Sequence, residues 1–583
     1  MIRSILAMLL WAWLGSPLLA APTGPVRLVY PPPGHSTSSQ SIFFVGSVHP
    51  GSQLVVNGSA VALSKQGYFA PTFALKPGAN TFTFRSRGVD GTSTLTRVVT
   101  RRPDITVPSD RPYLASLSPS GPQRIEPGTN VCLKARATPG GQLRANLAGE
   151  VISLVELSST PVPAASALLG AFSPESATRG SYSGCLPARR GWQKVQAQLS
   201  LQWRGQTLTQ MSPAEFTTLD PTRLNVIEVI VAEAIIRAGA GSEFARLTPL
   251  GRGVRSAVTS QNGDWLRLQG GGWIQQRDIR YLPAGTPLPR SAVRALSTRH
   301  TARASELIIP LEMPLPYTVR QEESRLVVTV WGAEAQTDLI RFEAGDPLIR
   351  SVQWELEGSE GVRFYIDLRE PRQWGYQVRY EGPVLVVGVR SSPKRARGLA
   401  DLTVMLDPGH GGTQTGSLGP TGIAEKTVNL QIALRLRDRL QKSGATVLMT
   451  RTDDRTVSLE ARTRQLEAQT PTVFLSLHNN ALPDGANPLK QYGTSVYWYH
   501  MQSRALAESL HHQLVRDLGR PDYGLYWDSL AVIRPTLAPA VLLELGFMIH
   551  PEEYLLLNTP TFQERISRAI VRGLEDWLQK QGA

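Results

Sequence analysis

The sequence holds only two cysteines, Cys132 and Cys185, and only nine histidines in 583 residues. Two cysteines can form one disulfide in an oxidising compartment or sit as two buried free thiols, and both readings stay open. Neither lies near the polar motifs described below, which excludes thiol catalysis. No apolar run beyond residue 20 reaches the ~20 residues needed to span a bilayer. No cysteine follows the first apolar run, which excludes lipoprotein anchoring. Dense basic clusters are also missing, although the formal net charge is +14. Core-forming residues are not scarce: 41% hydrophobic and 19% charged is ordinary for globular protein and excludes wholesale disorder.

What is present begins with a leader. Arg3 opens residues 1–20, Ile5 to Leu14 is almost purely apolar, and Leu18-Leu19-Ala20-Ala21 offers small residues for cleavage. This pattern predicts a secretory signal, with an uncleaved anchor helix as the other reading. The mature chain is therefore expected outside the cytoplasm, in a periplasm or cell envelope, and nucleic acid is excluded as a partner. The charge is unevenly placed. Residues 1–400 carry 43 Lys+Arg against 28 Asp+Glu, whereas residues 401–583 carry 18 against 19. A basic amino-terminal part favours polyanionic partners such as anionic envelope polymers or lipid headgroups. An Arg-rich composition spread over solvated faces is the alternative.

The length predicts three to five domains. Residues 22–105 read as short strands punctuated by Gly and Pro, for example Ser41-Ile-Phe-Phe-Val-Gly and Asn80-Thr-Phe-Thr-Phe-Arg. Such spacing predicts a β-sandwich. The stretch Phe73-Ala-Leu-Lys-Pro-Gly-Ala-Asn-Thr-Phe resembles the turn region of bacterial immunoglobulin-like modules. Residues 110–220 read as a second sandwich. Asn130-Val-Cys-Leu-Lys-Ala-Arg-Ala alternates with period two, and Ser158 to Ala177 is a Ser/Pro/Ala-rich loop. If both Cys-bearing strands face one core, a disulfide would staple two sheets. Residues 223–285, with Ala234-Ile-Ile-Arg-Ala-Gly-Ala-Gly-Ser, Gly263-Asp-Trp-Leu-Arg-Leu and Gly271-Gly-Trp-Ile, resemble the bacterial SH3-like barrel. Its Trp265 and Trp273 either meet wall peptides or fill the core. Residues 304–392 alternate strongly, as in Arg325-Leu-Val-Val-Thr-Val-Trp. Together with Trp374-Gly-Tyr-Gln-Val this region resembles the AMIN wall-targeting module. Residues 393–401 read as a linker.

From residue 402 to 580 the period changes. Strand-like runs (403–406, 446–449, 473–477, 495–499, 541–543) alternate with helical patterns (about 426–442, 457–468, 502–518, 560–579). This predicts an α/β domain. Four polar islands stand out: Asp407-Pro-Gly-His-Gly-Gly after a strand, Glu425-Lys-Thr-Val-Asn-Leu opening a helix, Ser476-Leu-His-Asn-Asn-Ala and Glu544-Leu-Gly-Phe at strand ends. Ligands of α/β sheets gather beyond strand carboxyl ends, so the four can meet at one edge.

Two histidines and one glutamate are a known catalytic zinc set that leaves a place for water. His410, Glu425 and His478 supply it. Zinc lowers the pKa of its water, and a separate carboxylate must then move the proton to the leaving group. Glu544, between Leu543 and Leu545, is the candidate, since a carboxylate after an apolar strand is costly to bury without a purpose. Each residue also has a bland reading: a turn histidine, a first-turn helix acid, a strand-end histidine. Five other histidines, His35, His49, His300, His511 and His512, read as structural or surface groups. The last two are adjacent on a helix and point about 100° apart.

The islands together, with Gly416 through Gly422-Ile-Ala-Glu-Lys-Thr-Val-Asn-Leu, Thr450-Arg-Thr-Asp-Asp and Pro539-Ala-Val-Leu-Leu-Glu-Leu-Gly-Phe, resemble the zinc-dependent N-acetylmuramoyl-L-alanine amidase family, amidase-3 type. The resemblance covers nearly all of residues 401–583. It implies one Zn2+ held by His410, Glu425 and His478, a catalytic Glu544, and peptidoglycan as substrate, cut between N-acetylmuramic acid and L-alanine. The family's usual acidic residue after the glycines is Thr413 here, and His550 stands where Asn is common. Some family members carry a helix that plugs the site after the second histidine. Leu482 to Tyr492 is too short for one, so self-inhibition of that kind is not expected, and residues 401–583 alone should turn over as fast as the full chain. Two other readings remain: a wall-binding protein that has lost catalysis, and a zinc peptidase cutting within the stem.

Overall fold

A computed structural model of the chain describes residues 26–582, apart from 90, 103–106, 158–178 and 394–397. The leader over residues 1–20, the loop from Ser158 to Ala177 and the centre of the 393–401 linker lie outside the described residues. Among the described residues, no helix is long and apolar enough to cross a membrane.

Among the described residues, the chain amino-terminal to the last domain consists of strands and loops with two short 3-10 turns, Gln276–Asp278 and Leu399–Asp401. Residues 26–101 form small sheets dominated by a long hairpin, Gly78–Gly88 with Gly91–Arg101. Its alternating side chains send Phe82, Phe84 and Val99 inward onto Ile42, Phe44 and Phe69. Residues 114–218 form the next unit. There Val131, Leu133, Ala135 and Ala137 face the core, so Cys132 points outward with the opposite phase. Cys132 lies directly across from Cys185 in one antiparallel pair, and the two are disulfide-bonded. The bond thus joins neighbouring strands of a single sheet. It does not staple two sheets, because the period of two that buries Val131 and Leu133 turns both cysteines away from the core.

Residues 226–281 and 291–390 hold further sheets. Boundaries expected from sequence are crossed by pairing and packing. Gln123–Ile125 pairs with Arg255–Asn262, which continues the sheet of one unit into the next. Ile227, Leu266 and Ile274 share one apolar cluster with Leu307, Val328 and Phe364.

The carboxy-terminal domain is a six-stranded mixed sheet with helices on it. The strands are β1 (Thr403–Pro408), β2 (Thr446–Met449), β3 (Val473–Asn480), β4 (Thr494–Trp498), β5 (Asp522–Trp527) and β6 (Ala540–Phe547). The helices are α1 (Glu425–Lys442), α2 (Leu459–Gln469), α3 (Met501–Leu518), α4 (Pro551–Leu557) and α5 (Pro560–Gly582). The spatial order is β2-β1-β3-β6-β4-β5, with only the β6–β4 pair antiparallel. Strand alternation divides two cores. Val404, Leu406, Val473 and Leu475 meet Val428, Ile432, Leu436, Leu510 and Ile566 on one face. Met405, Phe474 and Leu542 meet Leu466 of α2 on the other. Strands buried on both faces read as continuous apolar runs, which is why the sequence shows no polar alternation here. Because β1, β3 and β6 run parallel and adjacent, their carboxyl ends form one edge, and the functional residues collect there.

Candidate metal centre

The parallel register of β3 and β6 sets His478 beside Glu544. His410 follows the end of β1, and Glu425 is the first residue of α1, which leads back over the same edge. The ligand atoms of His410, Glu425 and His478 all lie within 4.8 Å of one another. His410 Nε2 is 3.2 Å and His478 Nδ1 is 3.1 Å from Glu425 Oε1. Three ligands held about 2.0–2.1 Å from one tetrahedral zinc stand roughly 3.3 Å apart, so this spacing fits a small divalent cation.

The backbone is shaped for this convergence. His410 adopts the left-handed region (φ 61°), an uncommon conformation for a residue with a side chain. Gly409 is required by space alone: a Cβ there would lie 2.6 Å from His478 Nδ1. At Gly416 a Cβ would lie 2.7 Å from His410 Cδ2 and would also strike the Glu425 carboxylate.

Glu425 is 3% exposed and accepts hydrogen bonds beyond the imidazoles. The Asn479 backbone N–H (3.1 Å) and Asn429 Nδ2 (3.0 Å) donate to Oε1, and the Ser417 N–H (3.0 Å) donates to Oε2. Burial would raise the Glu425 carboxyl, but hydrogen bonds and charge from His410 and His478 outweigh it and hold it below the usual range. Glu544 shows the opposite balance. Burial, and then the Glu425 carboxylate, push its carboxyl well above the ordinary value. Its Oε2 is buried without a hydrogen-bond partner among the described residues. A buried carboxylate oxygen left open beside a cation-ready donor set is costly in a purely structural residue. It is what proton transfer to a bound group requires.

Beneath the donors lies a support that the sequence motifs did not reveal. Arg462 and Asp407 form an ion pair with side chains 2% and 1% exposed. Arg462 also donates to Pro408 O (2.9 Å) and His410 O (2.6 Å). Arg451, fully buried, donates to Pro408 O and Gly409 O, both at 2.9 Å. Asp407 further accepts from Thr450 Oγ1 (2.6 Å) and Ser476 Oγ (2.8 Å). Two buried guanidinium groups thus grip successive carbonyls of the segment that carries His410. Asn429 could have been read as a helper, since it lies one turn after Glu425 on α1. Arg462 carried a fainter signal, four residues before the core residue Leu466 on the inward face of α2.

The two departures from the expected pattern are accommodated. The Thr413 backbone N–H donates to Thr456 Oγ1 at 3.0 Å. His550 Nδ1 caps α4 by accepting from the Glu553 N–H at 3.3 Å, and its ring stacks on Tyr492 at 4.2 Å. Residues 481–493 form turns and no helix, so among the described residues the segment after the second histidine carries no helical plug. His511 bonds Asp522 and His300 bonds Ser305, both away from the centre.

Residues 404–576 match the N-acetylmuramoyl-L-alanine amidase family. The probable cell wall amidase LytH of Staphylococcus aureus is 38% identical over 190 residues, which is 32% of this chain and 62% of that protein. The chain thus spans about three fifths of the length of that relative. Among solved structures, the catalytic domain of CwlV, an amidase from Bacillus (Paenibacillus) polymyxa var. colistinus, is 32% identical and covers 30% of this chain and 98% of that one, with a TM-score of 0.29. AmiC2 of Nostoc punctiforme, also an N-acetylmuramoyl-L-alanine amidase, is 32% identical over 30% of this chain and 97% of that one, with a TM-score of 0.29.

Proposed function

We propose that the carboxy-terminal domain is a zinc-dependent N-acetylmuramoyl-L-alanine amidase acting on peptidoglycan. The observation that carries this reading is the meeting of His410, Glu425 and His478 beside the unpartnered Oε2 of Glu544. His410, Glu425 and His478 would hold the zinc. When bound, zinc polarises the scissile carbonyl and makes water a nucleophile near neutral pH. Glu544 Oε2 accepts the proton released as the water oxygen bonds to the carbonyl carbon. It then returns that proton to the nitrogen of L-alanine as the C–N bond breaks. The elevated affinity of Glu544 for a proton suits the first of these steps, in which it is the acceptor. Asn429, the Asn479 N–H and the Ser417 N–H fix the orientation of Glu425, as outer partners of metal ligands do.

The amino-terminal units are read as immunoglobulin-like, SH3-like and AMIN-like modules that hold an exported enzyme on the wall. Their basic excess suits anionic envelope polymers. The test is digestion of purified sacculi by the full chain, read by mass spectrometry. Intact stem peptides with a free N-terminal L-alanine, lost with a zinc chelator and with Glu544→Gln, are expected. Stem fragments would mean a peptidase. Stoichiometric zinc without any release would mean a binding protein.

A further inference from the structure

Both loops that frame the metal centre are held by the first β unit, some 400 residues away in sequence. The loop after His478 is gripped at Asp484. Tyr30 O–H donates to Asp484 Oδ1, His35 Nε2 lies 2.8 Å from Oδ2, and Ser41 Oγ donates to Gly485 O at 3.1 Å. Below these bonds Phe43 and Val45 are buried against Leu482, Phe547 and Ile549. Phe547 ends the strand that carries Glu544, and Leu482 follows His478 by four residues. The loop before Glu425 is held from the other side. Tyr68, 1% exposed, packs edge-on against Tyr554 at 5.3 Å, and Tyr554 bonds Thr421. The Arg27 guanidinium lies against Gly422. The contact does not seal the centre, since the His410 side chain keeps 31% exposure.

The geometry points to the amino-terminal β unit, residues 26–101, as one wall of the catalytic cleft, with Tyr30, His35 and Asp484 as positioning residues for the loop that follows His478. The unit belongs to the working enzyme, so residues 401–583 alone should not match the full chain as the sequence led us to expect; it is neither a tethered passenger nor a lid that must lift. A fully buried apolar seam is what a permanent interface shows, and a wall beside an open centre lengthens the surface that a polymeric substrate meets. The inference relies on the amidase reading only for its turnover readout.

A cross-link separates the possibilities in the full chain. Gly485 holds a left-handed backbone (φ 89°), which strains a side chain placed there without forbidding it, and a Cβ built there would lie 3.4 Å from Ser39 Cβ, near the spacing that a disulfide needs. Ser39→Cys/Gly485→Cys, oxidised and checked by mass, should cross-link in high yield and keep parental turnover on sacculi. Failure to cross-link in a chain that still unfolds at the parental temperature would overturn the docking itself, whatever the activity. A cross-linked enzyme that is silent until reduced, while the parent treated identically is unaffected, would make the unit a lid and overturn the inference. If the parent itself releases nothing, the amidase reading fails while the cross-link still reports docking. Asp484→Ala supplies the second readout. KM for sacculi should rise several-fold with kcat and zinc content unchanged, and Asp484→Asn should restore most of it. An unchanged KM would refute the positioning role.

Discussion

Gly409→Ala adds a single methyl group at the centre of the site. The backbone at 409 needs no left-handed conformation, so the substitution acts through space alone. The new Cβ would lie 2.6 Å from His478 Nδ1, whereas ordinary contact begins near 3.4 Å. The Cε1–Nε2 edge of the ring lies closer still, so the imidazole must retreat by about 1 Å, carrying Nδ1 with it. Metal–ligand distances tolerate only about ±0.2 Å. A ring displaced that far loses its bond or drags the metal with it. A misplacement of this size costs on the order of 10²-fold in turnover. Zinc per chain, measured by elemental mass spectrometry after competition with a chelator, should fall. Thermal unfolding of the apo protein should move little, because the methyl invades a cleft and not the core. Stoichiometric zinc at parental affinity, with parental release of stem peptides, would refute the account of the cradle around His478.

Three further outcomes are expected. Glu544→Gln should lower turnover by about 10²–10⁴-fold while leaving zinc content intact, and loss of zinc with it would show a ligand in place of a proton carrier. Arg462→Leu leaves the buried Asp407 carboxylate uncompensated and should cost about 3–5 kcal/mol in urea unfolding of the domain, with Asp407→Asn in the same chain recovering part. His550 is brought down from 6.5 to about 4, first by burial and then by the Arg520 charge. The unfolded chain therefore takes up this proton before the folded one does, and stability is lost as pH falls from 6.5 towards 4, by up to about 3 kcal/mol. His550→Asn, which can still cap α4, should flatten the fall relative to the parent. Equal slopes for the two chains would place the effect elsewhere.

The candidate ligands were legible because metal chemistry needs particular side chains at strand ends, and because glycines had to flank His410. Helix periods placed α1, α2, α3 and α5 within a few residues. Strand β5 escaped, since Asp522–Trp527 is a half-buried edge with little apolar contrast, and α4 is too short to show a period. The strands carrying His478 and Glu544 also run further than the apolar runs suggested, to Asn480 and Phe547, because polar residues at the carboxyl edge still pair in the sheet.

By itself the sequence determined the α/β period of the last domain, the strand-rich character of the rest and the identity of the candidate ligands, since these depend on local spacing and on side-chain chemistry. Only the tertiary structure decided what lies behind and beside them. The burial of Arg451 and Arg462 under the His410 segment, the one-sheet disulfide, and the seating of Tyr30, His35 and Tyr68 on the catalytic rim join residues far apart in the chain. Such contacts follow from how elements pack together, and no local pattern of residues records them.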